Sequence, residues 1–157
     1  MRKVNFIAAL DDKDGIAIGG KIPWNLPSDQ QYFQDYLKEG SVLMGWNTFQ
    51  ANGFKPFGQG KNTVVTHTPG KYHGVEYTND LQSYFQETKG DIWVAGGGEI
   101  FKQSLPYATH LYITRVNGDY GCDTFFPEFV DKFHRVDHNL SQTENGLEFT
   151  FQIWELN

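Results

Sequence analysis

Short β-branched runs alternate with short amphipathic ones along the whole chain, and this alternation constrains the fold more than any other feature. Residues 4–10 read as a buried strand, and 11–21, rich in Asp and Gly, as a loop. Pro27-Ser28-Asp29 opens a helix to about residue 39, with Ser28 as the candidate cap and Gly40 as the stop. Strands are predicted over 41–45, 62–66, 75–77, 91–95 and 110–116, and helices over 47–51, 79–89 and 99–104. The tail reads as two long strands, 132–139 and 148–156, joined by a Ser-Gln-Thr-Glu-Asn-Gly turn. Such an order predicts an α/β fold: a mainly parallel sheet, helices on both faces and an antiparallel hairpin at the end. Ligands on sheets of this kind bind beyond the carboxyl ends of the strands.

Length and charge narrow the partners. At 157 residues the expectation is one domain, 1–157, large enough to bury a core without disulfide staples. A net charge of −6 runs against the basic field of a nucleic-acid-binding domain. The single cysteine, Cys122, points to a reducing compartment and an inert thiol. The uninterrupted apolar run Phe6 to Leu10 is too short for a signal sequence or a membrane span. The expectation is therefore a cytoplasmic chain acting on a small molecule, with no nucleic-acid or membrane partner. His134 and His138 lie four apart, but their segment reads as a strand with no third ligand, so no metal site is expected.

Three features can carry chemistry. Asp29 shares a helix face with Phe33, Tyr36 and Leu37, and a carboxylate heading an apolar stripe is desolvated and holds its proton more tightly. Such a group can relay a proton in a cleft, although a carboxylate there also favours the helix N-terminus. Gly96-Gly97-Gly98, between a strand and a helix, lets backbone approach a pyrophosphate, yet matches neither established glycine fingerprint and also fits a plain tight turn. Trp24 stands between Pro23 and Pro27, where an indole walls a planar ligand or simply packs the core. The loop ahead of it, carrying Gly15, Gly19 and Gly20, is either a lid or an ordinary connection.

The order of these pieces resembles one family. Ile7-Ala8-Ala9, Ile22-Pro23-Trp24-Asn25-Leu26-Pro27-x-Asp29, Met44-Gly45-x-x-Thr48-Phe49, Lys61-Asn62, Val94-Ala95-Gly96-Gly97-Gly98-Glu99-Ile100, Leu111-Tyr112-Ile113-Thr114 and Asp123-Thr124-x-Phe126-Pro127 follow one another as in a dihydrofolate reductase of the bacterial or phage type. The resemblance covers essentially the whole chain. It implies a dihydrofolate-reductase-like α/β fold with a central, mostly parallel eight-stranded sheet flanked by helices. It implies reduction of 7,8-dihydrofolate by hydride transfer from NADPH to pterin C6, with protonation at N5.

Residue by residue, it implies that Asp29 binds the pterin and promotes N5 protonation, with Thr114 supporting it and Trp24 holding a water. Ile7, Ala9, Gln30, Phe33 and Asn52 would complete the substrate pocket. NADPH would meet Ala9, Ile16, Gly20 and Ile22 at the lid, and Gly45, Trp46, Asn47 and Thr48 at the next turn. It would also meet Thr66, His67, Gly96, Gly97, Gly98, Glu99, Ile100, Gln103 and Thr124. A cis peptide often joins the two glycines corresponding to Gly96 and Gly97 in this family. The expected oligomeric state is a monomer.

The chain also departs from the family pattern. The Arg that usually precedes the Lys-Asn pair and grips the folate tail is absent, leaving Lys55 or Lys61 as point-charge substitutes. Trp46 stands where an Arg often binds the 2′-phosphate of NADPH, which leaves Thr66 and His67 for that role. Gln30 and Phe101 replace an apolar residue and a Tyr, changes expected to weaken diaminopyrimidine inhibitors. Two other readings stay open: a same-fold reductase of another pteridine or pyrimidine, and a catalytically silent nucleotide-binding or structural protein.

Overall fold

The computed structural model describes residues 2–157. Its sheet follows from the β-branched runs. β1 (Val4–Leu10) lies between β6 (Ile92–Val94) and β7 (His110–Val116), parallel to both. Beyond β6 come β3 (Ser41–Gly45), β4 (Asn62–Val65) and β5 (Glu76–Thr78), all parallel. On the other side β11 (Leu147–Leu156) runs antiparallel to β7 and carries β10 (Gln142–Glu144). The main path is thus the eight-stranded order β10-β11-β7-β1-β6-β3-β4-β5, with a ninth short strand, β9 (Phe133–Arg135), on β11.

Period-2 alternation sends side chains to two cores. Phe6, Leu43 and Ile113 face one cluster, with Phe85 of α3 (Leu81–Glu87) and Ile100 and Phe101 of α4 (Gly98–Ser104). Ile7, Val42 and Met44 face the other, with Leu37 of α1 (Pro27–Leu37) and Phe49 of α2 (Trp46–Ala51). Helices therefore cover both faces, as expected. Two aromatic side chains of α1 fix its distance from the sheet. Tyr32 stacks on Phe151 at 4.1 Å, and Tyr36 meets Trp93 and Tyr112 at 5.1 and 4.9 Å.

The structure corrects the sequence reading in three places. Ser28 is not the cap of α1: the N-cap is Leu26, and Pro27 fills the first turn, where a missing N–H leaves nothing unpaired. The 11–21 loop contains β2 (Gly15–Ala17), which pairs with β8 (Thr124–Phe125) in a separate two-stranded sheet. The terminal hairpin joins β10 to β11 rather than 132–139 to 148–156. Its turn is Asn145-Gly146, both at positive φ (52° and 74°), the geometry that asparagine and glycine accept most readily. The earlier strand stops at Arg135, because Asp137 turns back to bond Arg135 and the N–H groups of Asn139 and Ile153.

Candidate active site

The carboxyl ends of the parallel strands carry a candidate site with two chemically different halves. On one side, Ala9 and Thr114 are register partners across β1 and β7, on the face that α1 covers. Thr114 is buried, and its Oγ1 donates to Asp29 Oδ1 at 2.6 Å, the short distance of a hydroxyl–carboxylate bond. Asp29 sits in the first turn of α1, half-buried. Desolvation pushes its carboxyl above the ordinary range, the Thr114 bond opposes this, and the charge of Glu144 adds to the rise. Glu144, at the tip of the terminal hairpin, accepts from the backbone N–H of Ser28 at 3.0 Å and from its hydroxyl. That is where Ser28 spends its side chain.

Trp24 is buried beside Leu26, Val116 and Phe149 and meets Tyr120 edge-on at 5.2 Å. One turn beyond Asp29, Phe33 packs edge-on against Phe57 at 5.4 Å, so an apolar wall continues along α1. Ile7 is buried in the same cluster. Gln30 is exposed on α1, and Asn52 turns its Nδ2 to Lys55 O at 2.9 Å.

The other half is built from backbone. α2 and α4 begin side by side, with Gly45 and Gly97 as their N-caps, and neither cap is closed by a side-chain hydrogen bond. Gly45 N–H donates to Gly96 O at 2.7 Å, locking the two turns together, and the Gly96–Gly97 peptide is cis. A Cβ on Gly45 would lie 2.9 Å from Ile100 Cγ1. One on Gly97 would meet only Thr48 Oγ1, at 3.8 Å. The free N–H groups of two helix starts thus open beside a hydroxyl, with no side chain in front of Gly97. Gly98 packs on the small sheet: a Cβ there would lie 2.8 Å from Thr124 Cγ2 and 3.5 Å from Ile16 Cδ1, so three residues from distant segments meet.

Other predicted residues stand farther out. Trp46 joins Phe49, Phe54 and Tyr72 in an aromatic cluster, and Asn47 is exposed beside it. Thr66 and the exposed His67 follow the carboxyl end of β4. Glu99 and Gln103 bond each other at 2.8 Å on α4. Gly20 lies in the 18–21 turn, and Ile22 is 63% exposed. Lys61 Nζ lies 3.8 Å from Glu76 Oε2, with both side chains exposed.

Sequence reasoning missed Asp11. It is fully buried, and its carboxylate collects N–H bonds from Lys13, Gly15 and Tyr120 while its carbonyl accepts from Arg115. Burial resists its ionisation, but those donors outweigh burial and hold the carboxyl below its ordinary value. Arg115 also pairs with Asp14 at 2.7 Å, which fastens the start of the β2 segment to β7. Asp123 Oδ2 accepts Gly19 N–H at 3.0 Å and ties the same segment to the β8 strand. Asp-x-Lys-x-Gly after a strand is a turn signal for the first of these contacts; the others join residues about a hundred positions apart.

The fold and the sequence of the chain match known proteins. A family profile for dihydrofolate reductase matches residues 3–156. Dihydrofolate reductase of Buchnera aphidicola subsp. Schizaphis graminum is 31% identical over 96% of this chain and 98% of its own length. That of Bacillus subtilis is 29% identical over 97% and 94%. A solved dihydrofolate reductase from Enterococcus faecalis, complexed with NADP(H) and RAB-propyl, superposes with a TM-score of 0.84 at 24% identity, covering 99% of this chain and 96% of that one. From end to end, the chain belongs to the dihydrofolate reductase family.

Proposed function

We propose that this site reduces 7,8-dihydrofolate to tetrahydrofolate with NADPH as hydride donor, and that Asp29 manages the proton. The observation that carries the reading is the Thr114–Asp29 bond: a half-buried carboxyl, held by one buried hydroxyl and raised above its ordinary range, at the head of the apolar stripe of α1. An acid of that kind keeps its proton to higher pH than an ordinary carboxyl does, and general acid assistance contributes about 10²–10⁴-fold. Asp29 is also the acceptor for the amino and ring N–H edge of a pterin. Phe33, Ile7 and Ala9 then hold the ring flat and exclude water. Trp24, rigid beside Tyr120, keeps this part of the site in shape and is the residue we assign to hold a water there.

The glycine cradle fits a dinucleotide. Gly45, Thr48, Gly96, Gly97 and Ile100 would hold its pyrophosphate and the adjoining ribose, because the caps are open and no Cβ intrudes at Gly97. Ile16, Gly98 and Thr124 stand beside it, with Ala9, Gly20 and Ile22 on the lid side. Trp46, Asn47, Thr66, His67, Glu99 and Gln103 are assigned to its outer reaches, with Thr66 and His67 toward a 2′-phosphate. When bound, the nicotinamide supplies the hydride; the residues named here position it and keep water from the reacting face. The reading further holds that residues 1–157 act as one domain and as a cytoplasmic monomer, without nucleic-acid or membrane partners. It is supported by the net charge of −6 and the single cysteine. Among the described residues no helix is long and apolar enough to cross a membrane.

The test is loss of nicotinamide absorbance when purified protein meets NADPH and dihydrofolate, with an NADH arm alongside. Turnover with NADPH is the expected result. Turnover with NADH alone overturns the 2′-phosphate assignment, and no turnover in a folded protein overturns the reductase reading.

A further inference from the structure

Dihydrofolate ends in a glutamate whose two carboxylates need donors if a site is to read them. A ligand that places its pterin on Asp29 and runs along α1 past Phe33 and Phe57 arrives at the 53–61 loop. That loop lies with its backbone directly on the end of α1. Gln59 N–H donates to Lys38 O at 3.0 Å, and the buried Asn62 side chain bonds Phe57 N–H, Phe57 O and Gly60 O. No side chain fits at the two closest points. A Cβ on Gly60 would fall 1.9 Å from Gly40 O, and one on Gly58 would fall 2.3 Å from Lys38 O, where φ is +61° as well.

The cations left at this end are weak grips. Lys38, Lys55 and Lys61 are all exposed, and Lys61 Nζ lies 3.8 Å from the exposed Glu76 carboxylate. A lysine is a hydrated point charge on a flexible stem, and exposed pairs contribute little. The planar, two-pronged donor that suits a carboxylate is arginine, and all three arginines of the chain are engaged elsewhere. Arg2 donates to the carbonyls of Phe85 and Thr88, Arg115 to Asp11 O and Asp14, and Arg135 to Asp137.

Resting on the reductase reading above, we infer that this site recognises the pterin and its aromatic extension and leaves the glutamate carboxylates in solvent, so that a dihydropterin without glutamate is as good a substrate as dihydrofolate. The experiment compares kcat/KM for 7,8-dihydrofolate with that for 7,8-dihydropteroate, which keeps the pterin and the p-aminobenzoyl ring and lacks the glutamate. Both are measured at low and at high salt. The expected result is a ratio within about threefold and a dihydrofolate value that changes little with salt, since no exposed ion pair is there to be screened. A forked grip on the tail would instead favour dihydrofolate by about ten- to hundredfold. That preference, or a steep fall with salt confined to dihydrofolate, overturns the inference and leaves the reductase reading intact. Turnover of neither compound overturns both.

Discussion

The two halves of the site are made from opposite materials. The half we assign to the pterin is a set of side chains: one acid, one buried hydroxyl and an aromatic wall, each with a specific partner. The half we assign to the nucleotide is a surface without side chains, where Gly45 and Gly97 leave two helix starts open. The first half can be tuned by changing a functional group and the second only by adding atoms. Glycines also serve two ends within this one chain. At 97 a Cβ would meet open space that a ligand needs, whereas at 60 it would meet the backbone of Gly40.

The sharpest way to break the comparison is Asp29→Asn. The amide still accepts the Thr114 bond but supplies no proton, so turnover at neutral pH should fall by about 10²–10⁴-fold in a protein that remains folded. Because the folded state raises the Asp29 pKa, it binds the extra proton between the ordinary and the raised value. Stability of the parent chain therefore falls as pH rises through that window. Asp29→Asn should lack this loss, and thermal melts of both proteins across pH would show it. Full activity in the variant would remove the mechanism.

Two alanines separate the two uses of glycine. Gly97→Ala has room, with φ −82° and only Thr48 Oγ1 nearby, so the fold should keep its stability while NADPH affinity drops about tenfold. Gly60→Ala should do the reverse, destabilising the chain by about 1–3 kcal/mol through overpacking without a matching change in nucleotide affinity. Denaturant melts and nucleotide titrations on the same two proteins decide the matter. Equal behaviour would mean that the cradle is merely a tight turn.

The smallest effects sharpen the pterin half. Thr114→Val removes a bond that lowers the Asp29 pKa, so the fall in hydride-transfer rate with rising pH should move to higher pH, with a loss of a few-fold in rate. Glu144→Gln removes a charge that raises it, so the same fall should move the other way. Shifts in the same direction for both variants would contradict the assigned causes.

Much of this architecture was legible because it is local. β3 and β7 fall on 41–45 and 110–116 as predicted, since both are short runs rich in apolar and β-branched residues. β2 and β8 were not legible: three residues pairing with two, across more than a hundred positions, carry no period. The hairpin was misread because the turn was spread over six residues, when Asn145-Gly146 alone makes it and Gln142–Glu144 is strand. In the site, the apolar stripe under Asp29 was readable from helical spacing, and the pairing with Thr114, 85 residues away, followed only from the resemblance. Asp11 was not legible because the turn signal around it marks only the Lys13 and Gly15 contacts, whereas its bonds with Tyr120 and Arg115 come from more than a hundred positions away.

The central claim is that Asp29 delivers the proton that accompanies hydride transfer. It is tested most directly by the single-turnover rate of nicotinamide oxidation as a function of pH, in the parent chain and in Asp29→Asn. The account predicts a rate that declines as pH rises through the raised Asp29 pKa, and a low rate without that decline in the variant. The same decline in both proteins would contradict it.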